Sequence, residues 1–132
     1  MTEGEILLLD DDVDIVNVFS MAFANMNLKV TGFSSPNSAF EYYSKNAEAI
    51  RLIISDIRMP EMNGFEFAYK VKEIYPKVKV LLITAYEHGD LESAGIYSSP
   101  TLQIDEFLKK PILPSKLIEA ALRHLSMPSQ ST

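Results

Sequence analysis

Three aspartates in a row, Asp10, Asp11 and Asp12, follow directly on an apolar run at residues 6–9. Ser55 and Asp56 follow a second run at 52–54, and Thr84 follows a third at 78–83. Lys109, Lys110 and Pro111 follow the pair Phe107 and Leu108. In open parallel sheets, ligands bind beyond the carboxyl ends of the strands. If the runs are strands of one such sheet, one end of it collects several carboxylates, a hydroxyl and an ammonium. Clustered carboxylates repel. Two unit charges ~4 Å apart at an effective dielectric of ~20 cost about 4 kcal/mol. A proton or a cation must relieve this. Oxygen ligands alone select a hard divalent ion, and with so few carboxylates that ion is Mg²⁺ keeping several waters, with Mn²⁺ as a substitute. A metal, a hydroxyl and a lysine around one carboxylate suit phosphoryl transfer, in which positioning and electrostatics supply most of the catalysis. The carboxylate itself can be the nucleophile, giving an aspartyl phosphate.

The elements that must position these groups are readable from periodicity. The runs at 6–9, 52–54 and 78–83 are continuous rather than alternating, as in strands buried on both faces of a parallel sheet. A further short run covers residues 28–30. Between the runs lie helical patterns. Residues 13–26 place Ile15, Phe19, Ala22, Phe23 and Met26 on one face, with Asp12 as N-cap. Ser35 and Pro36 read as N-cap and first-turn proline of a second helix, with Ala39, Phe40 and Tyr43 inward. Residues 65–74 turn Ala68, Val71 and Ile74 inward and stop before Pro76, and residues 114–125 turn Leu117, Ala121, Leu122 and Leu125 inward. Strand and helix alternate five times, with a weak fourth helix. Such alternation implies a doubly wound α/β sandwich with right-handed crossovers.

The chain has 132 residues, enough for one domain. Its net charge of −6 argues against direct nucleic-acid binding. It has no cysteine, so thiolate chemistry and disulfides are excluded, as fits a reducing cytoplasm. No apolar run approaches the ~20 residues that span a bilayer. The start, Met1 to Glu5, is acidic and unlike a signal peptide. Residues 126–132 are small and polar and read as a tail or the start of a linker.

Four ordered blocks together resemble the receiver domain of two-component response regulators. They are Leu7-Leu8-Leu9-Asp10-Asp11-Asp12, then Asp56-Ile57-Arg58-Met59-Pro60-Glu61-Met62-Asn63-Gly64, then Thr84-Ala85, then Phe107-Leu108-Lys109-Lys110-Pro111. The resemblance covers residues 5 to about 125, so 1–125 is expected to be the receiver. It implies a flavodoxin-like, CheY-like three-layer fold with five parallel strands in the order 2-1-3-4-5. By position, it implies Asp56 as phosphoacceptor and Asp10 and Asp11 as the acidic pocket. Asp11 would bind Mg²⁺ directly and Asp10 partly through water, with the Arg58 carbonyl as a further ligand beside Asp56. Thr84 would hydrogen-bond the phosphoryl group and Phe107 would be the aromatic switch. The family's lysine immediately precedes the proline, so the match is Lys110, and a cis Lys110–Pro111 bond would aim it into the pocket. The implied phosphoryl donor is a sensor histidine kinase or phosphotransfer protein. The implied recipient of the signal is an output domain or downstream protein, with no separate substrate turnover.

One region departs from the family. Thr84 and Lys110 are 26 positions apart, a few more than usual, and the usual fourth helix with its Gly-Ala pair is missing. Gly89, Gly95 and Pro100 fall there instead, so residues 87–104 are expected to hold a short or broken helix and a loop. Simpler readings account for single residues. A helix N-terminus favours Asp12 and Asp14 without invoking a site. His88 and His124 read as surface residues, Lys109 as solvated, and Met21, Met26, Met59 and Met62 as packing. None of these explains Asp56 and Lys110 at matching strand ends. A haloacid-dehalogenase-type phosphatase also uses a strand-end aspartate with Mg²⁺. Its opening motif fits only from Asp12, inside the expected helix. A flavodoxin-like flavin carrier would meet three aspartates where its phosphate should bind.

Overall fold

Glu5–Leu9 (β1) and Lys79–Thr84 (β4) are buried at every residue, and Ile50–Asp56 (β3) at every residue but Arg51. Val30–Phe33 (β2) and Glu106–Lys109 (β5) are only half-buried. This separates the three central strands of a sheet from its two edges. In the computed structural model, which describes residues 4–85 and 103–126, the strands form one sheet in the order β2-β1-β3-β4-β5. All four pairings are parallel. The expected topology is therefore present. The helices are Val13–Asn25 (α1), Pro36–Asn46 (α2), Gly64–Ile74 (α3) and a C-terminal helix, Pro114–Ser126.

Alternation along the strands builds two cores. Leu7, Leu9, Ile53, Val80 and Leu82 pack with Ala39, Tyr43, Phe67 and Val71 of α2 and α3. Ile6, Leu8, Leu52, Leu81 and Ile83 pack with Phe19, Phe23, Leu117 and Ala121 of α1 and the C-terminal helix. Each strand thus serves both layers, which is why its sequence reads as a continuous apolar run.

The helix starts follow local chemistry. The Asp12 carboxylate accepts from the Asp14 N–H at 2.9 Å and from the Ile15 N–H at 3.4 Å. Ser35 accepts from the Ser38 N–H, with Pro36 in the first turn. Asn63 and Glu66 form a reciprocal capping box at α3. Each such cap contributes about 1 kcal/mol.

Several sequence expectations need correction. β2 begins at Val30, where the apolar run ends, because edge strands are not obliged to be continuously apolar. α1 stops at Asn25, and the chain turns away through Asn27 at φ 59°. Met26 therefore leaves the inward face and is exposed, as is Met21, whereas Met59 and Met62 do pack against the core. Val16 takes the buried place on α1. Ile74, the last residue of α3, is also exposed, and Phe67 carries the burial instead. The irregular segment expected at 87–104 lies outside the described residues except for its last two positions, of which Ile104 packs against the α2–α3 core. Residues 127–132 of the polar tail also lie outside. Among the described residues, no helix is long and apolar enough to cross a membrane.

Gly64 closes the loop after β3 onto the strand it left. Its N–H donates to the Ile57 carbonyl at 2.8 Å. A Cβ there would lie 2.5 Å from the Asp56 carbonyl oxygen and 3.0 Å from the Ile57 Cα, both rigid backbone atoms. Gly64→Ala is therefore expected to destabilise the fold by about 1–3 kcal/mol in urea unfolding, the usual range for overpacking. Unchanged stability would show that the two backbones are not held this close.

Candidate functional site

The carboxyl ends of β1, β3, β4 and β5 converge, and each delivers one polar group. Asp10 extends β1 by one residue. Its N–H donates to the Phe33 carbonyl of β2, and its Oδ1 accepts from the Asp12 N–H at 2.9 Å. Asp56 ends β3, and its Oδ1 accepts from the Ile57 N–H at 2.9 Å. Thr84 ends β4, and its carbonyl accepts from the Lys110 N–H at 2.8 Å, tying the end of β5 to β4. Lys110 follows β5, and the Lys110–Pro111 peptide is cis.

The lysine joins these groups. Lys110 Nζ lies 3.3 Å from Asp10 Oδ2 and 3.2 Å from Asp56 Oδ2. Asp10 and Asp56 are buried, at 2% and 8% exposure, whereas Asp11 is exposed. One oxygen from each of Asp10, Asp11 and Asp56 falls within 4.8 Å of the others. Beside them opens a pocket of about 230 Å³ lined by Asp56, Ile57, Arg58, Thr84, Ala85 and Lys110.

Charge in this cluster is unbalanced. Burial pushes the Asp10 carboxyl above its ordinary range, more than Lys110 and the Asp12 N–H pull it down. Asp56 is raised for the same first reason, burial, and then by the neighbouring Asp10 charge. For Lys110, burial opposes the ammonium, but the two carboxylates outweigh it and hold the lysine protonated. Lys110 thus pairs with two carboxylates of a cluster of three. The donor set is all oxygen, partly buried and open on the Asp11 side, which fits a hard divalent cation that keeps some of its water.

The sequence-nominated site residues that fall among the described residues can now be located. Asp10, Asp11, Asp56 and Lys110 come together, and Arg58 and Thr84 line the adjoining pocket. Phe107 is half-buried in β5, its ring 6.0 Å from that of Phe65 at the start of α3. Lys109 is exposed. Asp12 caps α1, and Asp14 sits exposed in its first turn, so the phosphatase-like register through these two does not reach the pocket. His124 corrects the reading as a surface residue. It is buried in the last turn of the C-terminal helix, with Nε2 2.7 Å from Glu106 Oε1. Sequence reasoning overlooked the Ile57 N–H that holds Asp56. A backbone donor carries no residue signature, although its place next to Asp56 was available.

Comparisons with known proteins identify the family and the fold. Residues 6–122 match the family model described as the response regulator receiver domain. The chain is similar to the phosphoglycerate transport system transcriptional regulatory protein PgtA of Salmonella typhimurium, at 34% identity over 92% of this chain and 28% of that protein. It is similar to the response regulator SaeR of Staphylococcus aureus, at 31% identity over 86% of this chain and 46% of that protein. It therefore spans less than half the length of these relatives. Among solved structures it resembles a response regulator receiver domain protein from Clostridium thermocellum, with a TM-score of 0.79 and 25% identity over 92% of this chain and 94% of that one.

The raised carboxyls make a signed prediction. A carboxyl whose value is higher in the folded than in the unfolded state destabilises the fold once it is ionised. The penalty is complete above the raised folded value and fades as pH falls from there toward the ordinary 3.8. Asp10→Asn keeps the acceptor for the Asp12 N–H and removes one charge. In metal-free buffer at neutral pH it should raise the melting temperature by about 3–5 °C, the shift of roughly 1 kcal/mol in a chain of this size. It should also shrink the gain in melting temperature expected of the parent with added Mg²⁺. A lower metal-free melting temperature in the variant would contradict the charge imbalance.

Proposed function

The chain belongs to the response regulator receiver domain family, and on that premise we propose that Asp56 is its phosphoacceptor. The observation that carries this reading is one ammonium, on Lys110, within 3.3 Å of both Asp10 and Asp56, with Asp11 closing the same oxygen cluster. The donor is the phosphohistidine of a sensor kinase or phosphotransfer protein. An Asp56 carboxylate oxygen attacks phosphorus. The new O–P bond forms as the N–P bond to histidine breaks, and the departing imidazole takes up a proton. Asp11, Asp56 and the Arg58 carbonyl, with Asp10 acting partly through water, would hold a Mg²⁺, which would supply charge neutralisation for the phosphoryl transfer. Lys110 supplies the second positive charge and pairs with a phosphoryl oxygen once Asp56 is esterified. Thr84, at the pocket wall, donates its hydroxyl to another. Its movement toward the phosphoryl group, with Phe107 turning inward, carries the signal out.

The chain's own activity ends there, as a phosphoacceptor in a phosphorelay. PgtA is a transcriptional regulatory protein by name and is several times longer than the matched segment. We therefore place the recipient in an output domain or a downstream protein, in the cytoplasm. With net charge −6 this domain is not itself the nucleic-acid contact.

Intact-mass measurement with a small acyl phosphate should show one added phosphate per chain, only when Mg²⁺ or Mn²⁺ is present. Asp56→Asn should abolish it, because an amide is not a nucleophile. Equal phosphorylation of the variant and the parent would refute Asp56. The pocket wall gives a second test. Arg58 is exposed beside Asp56, where a hydrolytic water must approach. Tyr86, two positions after Thr84, lies outside the described residues. Arg58→Ala should shorten the life of the phosphorylated form several-fold, read as phosphate release after donor removal. An unchanged rate would rule out shielding by Arg58.

A further inference from the structure

Of the four strands that deliver polar groups to the pocket, β5 has the least burial to fix it. It runs over four residues, Glu106–Lys109, is half-buried, and pairs with β4 alone. Burial of an apolar face is what sets strand register strongly. β1, β3 and β4 have that burial. Yet β5 delivers Lys110, whose ammonium must arrive between Asp10 and Asp56.

Polar contacts take over at the start of β5. Asp105, the residue before the strand, meets Val80 of β4 twice. Its N–H donates to the Val80 carbonyl at 2.9 Å, and its Oδ2 accepts from the Val80 N–H at 2.8 Å. The carboxylate thus stands where a backbone carbonyl of a longer β5 would stand. Lys72 of α3 holds the same oxygen from the helix layer, 3.8 Å away, and its ammonium donates to the Val78 carbonyl at 2.8 Å. At the other end of the strand, the Lys110 N–H donates to the Thr84 carbonyl at 2.8 Å. β5 is therefore pinned to β4 just before it begins and just after it ends.

We propose that Asp105 is a positioning residue for the phosphoryl transfer: by clamping Val80 it sets the register of β5, and so the place of the Lys110 ammonium. The inference rests on Asp56 as the phosphoacceptor. Val80 is fully buried, so its N–H has no water to turn to. Without an acceptor on residue 105, that N–H is satisfied only if β5 shifts along β4 and brings a backbone carbonyl to it. Such a shift carries Lys110 with it. Asp10, Asp11 and Asp56 stay in place, because they follow or end β1 and β3, which pair with each other independently of β5. Asp105 therefore acts through Lys110 and not on the carboxylates.

The test is a double-mutant cycle on the rate of phosphorylation by a small acyl phosphate at saturating Mg²⁺, read by intact mass. Asp105→Ala should slow the reaction about tenfold or more, since a misplacement of ~1 Å can cost about a hundredfold. Asp105→Asn keeps an oxygen for the Val80 N–H and should restore the parent rate. In a Lys110→Ala background, itself slower than the parent, Asp105→Ala should cause no further loss, because the group it positions is gone. The Mg²⁺ concentration for half the maximal rate should stay the same or fall in Asp105→Ala, since a displaced ammonium no longer competes for the carboxylates. Asp105 is exposed, so these variants are expected to fold. If Asp105→Ala does not, Lys72→Met takes its place in the cycle. It keeps the stem, removes the second hold on the same oxygen, and should slow the parent but not Lys110→Ala. A parent rate in Asp105→Ala, a slow Asp105→Asn, a further loss in the Lys110→Ala background or a higher half-saturating Mg²⁺ concentration would each overturn the proposal. Asp56→Asn separates the two readings. Its phosphorylation at the parent rate would sink the phosphoacceptor itself, whereas an inert Asp56→Asn beside an unimpaired Asp105→Ala would sink the positioning role alone.

Discussion

A single ammonium holds two buried carboxylates together at the carboxyl end of the sheet. Lys110 reaches Asp10 and Asp56 from β5 across the ends of β4 and β3, so the contact depends on the whole sheet being in register. A slip of one residue in any strand would turn its polar terminus into the core or away from the pocket. The burial of β1, β3 and β4, broken only at Arg51, opposes that slip. The interaction is also insufficient. Two of the three carboxylates are buried, and one lysine cannot neutralise all three. The site therefore costs stability in the absence of a cation, and that cost makes it responsive to ions and to phosphorylation.

Backbone contacts convert this charge cluster into a fixed geometry. The Ile57 N–H holds one Asp56 oxygen, and the Asp12 N–H holds one Asp10 oxygen. Each carboxylate keeps its second oxygen for the lysine. Gly64 lets the loop after β3 lie against the Asp56 backbone, and the Asn63–Glu66 capping box starts α3 at that point. The rigidity of Asp56 is thus owed to residues that carry no charge in the pocket.

Much of the fold and of the carboxylate pocket was legible in residue order. Continuous apolar runs marked the central strands, and the caps Asp12 and Ser35 marked helix starts. Both signals are local, so chain order suffices to display them. Asp10, Asp11, Asp56, Thr84 and Lys110 were legible because each follows an apolar run, and a parallel sheet gathers the ends of its strands on one side. The errors arose where a local pattern outlasted the element. Periodicity placed Met26 and Ile74 inward, but one lies past the end of α1 and the other at the last turn of α3, where no layer remains to cover them. His124 could not be read at all. Its burial depends on Glu106, 18 residues earlier, arriving on a neighbouring strand. Residue types and spacing determined which groups stand at strand ends. Tertiary structure alone decided which charges meet, because the distance between two side chains on different elements follows from packing and not from their separation along the chain.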